Sequence, residues 1–135
     1  MDLAKQRTRF DGQSFAQLLG IEFVDAKPGF AQLRMPVQQK HLSAAETVHG
    51  GILATVADAS CAQALWPMLE DNESFASIEL KINYLSPARL HDVLIGEGRI
   101  IQRGGRIAVG DMEIREERSK RVILKGLHTF MISKR

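Results

Sequence analysis

His49-Gly50-Gly51-Ile52-Leu53-Ala54-Thr55-Val56-Ala57-Asp58-Ala59-Ser60-Cys61-Ala62-Gln63-Ala64-Leu65 decides the fold of this 135-residue chain. Two glycines open the run and Pro67 marks its end. Drawn as a helix, it carries apolar residues on almost all sides, so it is expected to be buried rather than amphipathic. A lone buried helix needs a sheet around it.

The flanking sequence supplies that sheet. Upstream, residues 11–19 read as a short helix with Phe15, Leu18 and Leu19 on one side and Gly20 as the stop. Residues 21–37 read as two strands turning at Lys27-Pro28-Gly29, and residues 38–48 as polar and irregular. Downstream come four runs of period two. The first places Ile78, Leu80, Ile82 and Tyr84 on one face and ends at Ser86-Pro87. The second covers residues 93–101 and breaks at Arg103-Gly104-Gly105. The third, residues 106–117, aligns Ala108, Gly110, Met112 and Ile114. The fourth, residues 121–132, aligns Val122, Leu124, Gly126, His128 and Phe130. Gly96, Gly98, Gly110 and Gly126 fall on the apolar faces, where a strand glycine marks close approach by another backbone. An alanine-rich helix is the natural occupant. The reading is an α+β layout, a strongly curved antiparallel sheet wrapped around one central helix.

Bulk properties bound the rest. The length fits one domain over residues 1–135. With 18 basic and 16 acidic side chains the formal charge is +2, which does not argue for nucleic acid as a partner. A single cysteine, Cys61, rules out an internal disulfide and fits a reducing compartment. Residues 1–10 are charged and have no apolar stretch of signal-peptide length, and no run approaches the roughly 18 residues of a membrane span. A cytoplasmic protein with no membrane partner is expected.

Asp58 is the chemical anomaly. Its neighbours at helical spacing are Ala54, Thr55, Cys61 and Ala62, none able to neutralise a carboxylate. Burying an unpaired charge is costly. Either the aspartate lies at a wet helix surface, or it is held for chemistry. The second feature is His49-Gly50-Gly51 at the helix start. A helix N-terminus presents unpaired N–H groups that can polarise a carbonyl, and glycines let a ligand come close. The glycines could equally relieve crowding where the helix enters the sheet.

Together these features resemble a family. The run His41-Leu42-Ser43-Ala44-Ala45-Glu46-Thr47-Val48-His49-Gly50-Gly51, followed by Asp58, is similar to the PaaI-like acyl-CoA thioesterases of the hotdog superfamily, relatives of the hydroxybenzoyl-CoA thioesterases. The similarity continues through residues 77–88, the Gly104-Gly105-Arg106 turn and His128-Thr129. It implies a hotdog fold and hydrolysis of acyl-CoA without a cofactor. It implies that the Gly50 N–H binds the thioester oxygen and that Asp58 is the nucleophile or the general base for water. Ser77 would lie beside the acyl group or the water. Tyr84, His128 and the turn from Arg103 through Gly104, Gly105 and Arg106 would contact coenzyme A, as would the helix entry at His49 and Gly51. Arginine suits phosphate. One departure stands out, because the family's usual Asn or Gln six residues before the histidine is Ser43 here.

Helix geometry adds an oligomer. Gly50 and Asp58 are eight residues apart, about 12 Å along the axis. Both groups must come within roughly 3 Å of one reacting carbon, so one chain cannot readily supply both. A two-fold dimer, or a dimer of dimers, sets Gly50 of one chain against Asp58 of the other.

Rival readings are weaker. His41, His49, His91 and His128 lack zinc-like spacing, so no metal is expected. Cys61 sits among alanines and reads as inert packing. Residues 116–121 read as a solvated turn. A hotdog dehydratase would use a catalytic histidine with an acid and a Pro-Gly helix entry that is absent here. A non-catalytic acyl-CoA sensor would have no need of Asp58.

Overall fold

In the computed structural model, which describes residues 2–135, two short helices precede the sheet. They are α1 (Leu3–Asp11) and α2 (Ser14–Leu19). β1 (Glu22–Lys27) and β2 (Phe30–Pro36) follow, then a 3-10 turn, α3 (Gly50–Leu65), a second 3-10 turn at Trp66–Met68, and four long strands. These are β3 (Glu73–Tyr84), β4 (Val93–Arg103), β5 (Ile107–Glu116) and β6 (Val122–Lys134). The six strands form one antiparallel sheet in the order β1-β2-β4-β5-β6-β3. α3 packs chiefly against β4, β2 and β5. No helix among the described residues is long and apolar enough to cross a membrane.

The turn residues act as expected. Gly29 carries a φ of 85° at the β1–β2 turn, and its N–H reaches the Ala64 carbonyl of α3 at 3.0 Å. Gly20 caps α2 in the left-handed conformation, φ 74°.

Close helix–sheet contact explains the inward glycines of β4 and β5. A β-carbon on Gly98 would lie 2.5 Å from the Cys61 Cα and 2.6 Å from the Ser60 carbonyl oxygen. One on Gly96 would lie 2.5 Å from the Ser60 hydroxyl, and one on Gly110 would collide with the Cys61 sulfur. Gly126 serves a different neighbour, since its β-carbon would strike the backbone of β3 at Lys81.

Four expectations need correction. The helix expected over residues 11–19 is shorter, α2 over Ser14–Leu19, and a further helix that was not expected, α1, forms over Leu3–Asp11. Asp2 caps α1 by accepting the Lys5 N–H at 2.8 Å. Phe15 and Leu18 are exposed, because the short α2 turns only Ala16 and Leu19 inward. α3 is buried on one side only: Leu53, Val56, Ala57, Cys61 and Ala64 are enclosed, while Ile52, Ala54, Asp58, Ala59 and Ala62 are half-exposed. The turn at residues 116–121 is solvated from Arg118 to Arg121 as expected, and Glu116 alone is enclosed. The Glu116 carboxylate is buried and accepts N–H groups from Ser119, Val93 and Arg118, which pull its pKa down to about 2.

The fourth correction positions the site. β3 carries a bulge between Ser77 and Glu79. Ser77 pairs with Phe130, whereas Leu80 pairs with His128 and Ile82 with Gly126. Paired residues share a face, so Ser77 and Leu80 both point to the helix side, and Ile78 is the extra residue between them. Strict alternation would have sent Ser77 to the other side.

Gly98→Ala is expected to lower stability by about 3 kcal/mol, because backbone atoms cannot move aside as a flexible side chain would. Gly105→Ala, with nothing within 4 Å of the added carbon, should change it by less than about 0.5 kcal/mol. Urea unfolding of the two variants checks the contrast.

Candidate active site

Three predicted residues from three elements meet on the helix side of the sheet. His128 is fully enclosed on β6, with its ring stacked 3.7 Å from the Phe130 ring. Its Nε2 lies 2.7 Å from the Ser77 hydroxyl and 3.7 Å from an Asp58 carboxylate oxygen. Its Nδ1 is buried without a partner among the described residues. Burial lowers the His128 pKa to about 4, so the ring is neutral near pH 7 and cannot act as a counter-ion. Asp58 keeps 43% of its side chain exposed, and burial of the remainder raises its pKa above the ordinary carboxylate value. The arrangement is a basic carboxylate, open to solvent on one side, beside a hydroxyl held by a neutral imidazole.

A second group forms at the N-terminus of α3. His49 accepts the Gly51 N–H on Nδ1 at 2.8 Å. The Tyr84 hydroxyl donates to the Gly50 carbonyl at 2.8 Å, and its ring packs over Gly50. Among the described residues the Gly50 N–H meets no acceptor. The fold thus leaves one donor of this helix end for a ligand, and a Cβ on Gly50 would stand 3.3 Å from the Tyr84 ring. Ser43 lies in the loop before it. Its hydroxyl accepts the Ala45 N–H at 3.3 Å, and its backbone bonds Thr47 and Glu46. Ser43 therefore shapes its own turn, and nothing in the chain joins it to Asp58.

The third group is the β4–β5 turn. Arg103 is committed within the fold, ion-paired to the buried Glu73 and donating to the Gly104 carbonyl at 2.5 Å. Arg106 and Gly105 are exposed. The three groups stay separate within one chain, the first and second being divided by two turns of α3.

Sequence reasoning placed His128 with the coenzyme A contacts and did not join it to Asp58 and Ser77. One signal was available, a lone histidine within the inward face of β6. The bulge that turns Ser77 inward leaves no mark in the alternation. The Arg103–Glu73 pair bridges strands distant in sequence and was equally silent.

Comparison with known proteins gives the family. Residues 45–123 match the thioesterase superfamily. Human acyl-coenzyme A thioesterase 13 is 30% identical over 118 residues, covering 87% of this chain and 84% of that protein. Acyl-coenzyme A thioesterase PaaI of Escherichia coli is 27% identical over 117 residues, covering 85% and 80%. A solved thioesterase family protein from Silicibacter pomeroyi superposes with a TM-score of 0.89 at 25% identity, covering 97% of each chain.

The raised pKa of Asp58 has a consequence for stability. Its charged form is disfavoured in the folded state, so ionisation subtracts from stability at pH values above the raised pKa. That loss disappears as pH falls through the pKa. Asp58→Asn should therefore resist urea better than the parent at pH 7, and the gap should close on acidification. Unfolding curves at several pH values test the sign.

Proposed function

The chain belongs to the thioesterase superfamily and is a thioester hydrolase of the hotdog fold; from that premise we propose that it cleaves acyl-CoA at a site shared by two chains. The observation that carries this reading is Asp58, a carboxylate of raised pKa beside Ser77 and a neutral His128 on the half-open face of α3.

The chemistry follows from the groups present. Ionised Asp58 takes a proton from water, and the water oxygen attacks the thioester carbon. The oxyanion is held by the Gly50 N–H at a helix N-terminus. Collapse breaks the C–S bond, and the departing thiolate takes the proton from Asp58 and leaves as coenzyme A, with the acid as second product and Asp58 again ionised. Ser77, fixed by His128, orients the water. If Asp58 instead attacks the carbon, a mixed anhydride forms and water then opens it. Label in the Asp58 carboxylate after a single turnover in ¹⁸O-water identifies an anhydride that water opens at the Asp58 carbon. Arg106 and the open Gly105 backbone suit the phosphates of coenzyme A better than Arg103, which is committed to Glu73.

Two uncovered surfaces support a second copy of this chain as partner. β3 is an edge strand of 12 residues whose helix-side Leu80 and Tyr84 remain exposed, as do Ile78 and Leu85. A long apolar edge is a template for pairing. The half-exposed face of α3 lies on the same side. Pairing of two β3 edges would cover both and set Gly50 of each chain towards Asp58 of the other, as a two-fold axis requires.

Asp58→Asn should lower kcat by orders of magnitude with little change in KM. In the parent, kcat/KM should fall on acidification with an apparent pKa above the usual carboxylate value of about 4. Asp58→Asn and Gly50→Pro should each be inactive, and co-refolding them should restore part of the activity, because a mixed dimer holds one intact site. Folded mixed dimers without activity would refute the shared site. An Asp58→Asn variant that hydrolyses at the parental rate would refute the role of Asp58.

A further inference from the structure

A cavity of about 180 Å³ lies between α1 and the C-terminal half of α3. Phe10, Ala59, Ala62, Trp66 and Phe75 line it together with the polar Gln6, Arg9, Gln13 and Gln63. Trp66, Phe75 and Arg9 also border a larger groove of about 520 Å³ beyond. The Arg9 guanidinium lies 3.6 Å from the centre of the Trp66 ring, so the stacked pair separates the small cavity from the outer groove. Resting on the hydrolase reading above, we propose that this cavity receives the acyl group and that Trp66 with Arg9 limits its length. The enzyme then selects compact acyl groups, roughly the six carbons of a benzene ring in size.

Placement supports the assignment. Ala59 and Ala62 lie on the half-exposed face of α3 that carries Asp58, and Ala62 is one turn beyond it. Phe75 is two residues from Ser77 on β3, and the two pair with the inward Ile132 and Phe130. Phe75 also meets Phe130 edge-on at 5.3 Å, and Phe130 stacks on His128. An acyl chain leaving a carbonyl held at Asp58 along the helix therefore enters between alanines on one side and an aromatic edge on the other.

The cavity is preformed. α1 is pinned to α3 by the buried Gln6 amide, which donates to the Gln63 backbone carbonyl at 2.8 Å and to its side-chain oxygen at 3.1 Å. Arg7 donates to the Phe23 and Val24 carbonyls at 2.8 and 2.9 Å, and Phe10 is part of the core. The size points to the class of ligand. A cavity of about 150 Å³ is large enough for one benzene molecule. A longer chain would have to displace the Arg9–Trp66 stack to reach the outer groove.

The test is kcat/KM across saturated acyl-CoAs from acetyl to dodecanoyl, with benzoyl-CoA added, for the parent, Trp66→Ala and Arg9→Ala. The parent should peak near hexanoyl and benzoyl and fall at least tenfold by decanoyl. Both variants should raise the decanoyl-to-hexanoyl ratio, Trp66→Ala by about tenfold, in the range by which single pocket contacts discriminate. Arg9 is exposed on α1, so Arg9→Ala carries the test if Trp66→Ala fails to fold. A folded variant with the parental ratio overturns the proposal, as does a parent that takes decanoyl as readily as hexanoyl. In both cases hydrolysis itself persists and the hydrolase reading survives. No turnover of any acyl-CoA overturns that reading, and this one with it.

Discussion

The distance between α3 and the sheet is the constraint from which the other features follow. Gly96, Gly98 and Gly110 lie beneath Ser60 and Cys61 with no room for a β-carbon at any of the three. A helix that close cannot use leucine-sized side chains along its contact line, which accounts for Ala57, Ser60, Cys61 and Ala64 on its buried side. Close seating also brings the flank of α3 down towards β6 and β3. Asp58, one turn before Cys61, thereby comes within 3.7 Å of a histidine on β6. With larger residues at the helix–sheet contact, that carboxylate would stand clear of Ser77 and His128.

The same geometry explains what could be read in advance. Small residues at helical spacing in residues 49–65 and glycines at strand spacing in β4 and β5 are complementary signals, and together they specified the central helix and its curved sheet. Turns at Gly20, Gly29 and Gly104 were equally legible, since each depends on local backbone chemistry. α1 was not, because its burial rests on Gln6 and Phe10 alone and the rest of LAKQRTRFD faces solvent. Its Gln6 is buried by a hydrogen bond to a residue 57 positions away, which no local pattern records. Asp58 stood out as an isolated charge in an apolar helix. Its companions did not, because Ser77 reaches the site through a bulge and His128 through strand pairing.

β3 shows how local irregularity and assembly are connected. A regular strand would offer either Ser77 or the series Leu80, Ile82 and Tyr84 to the helix side. The bulge delivers both: a hydroxyl for the site and an apolar row for contact. Bulges also increase local twist, and this one lies midway along an edge strand that has β6 on one side and no strand of its own chain on the other. The exposed row on β3 and the half-covered face of α3 are thus two parts of one unfilled surface, adjoining the carboxylate.

Asp58 is where stability and chemistry oppose each other. A core carboxylate is ordinarily neutralised by a cation or by several N–H donors, as Glu116 is by three backbone groups that take its pKa down to about 2. Asp58 has neither, and its nearest ring is a histidine that burial keeps neutral. Burial, with nothing to offset it, raises its pKa. A stronger base transfers a proton from water more readily, provided it remains ionised at the working pH. Partial exposure meets that condition in the single chain. Burial by a second copy and an acyl group would raise the pKa further and bring the carboxylate closer to the range in which a general base is most effective. The absence of a counter-ion destabilises the folded chain and, by the same electrostatics, makes Asp58 a better base.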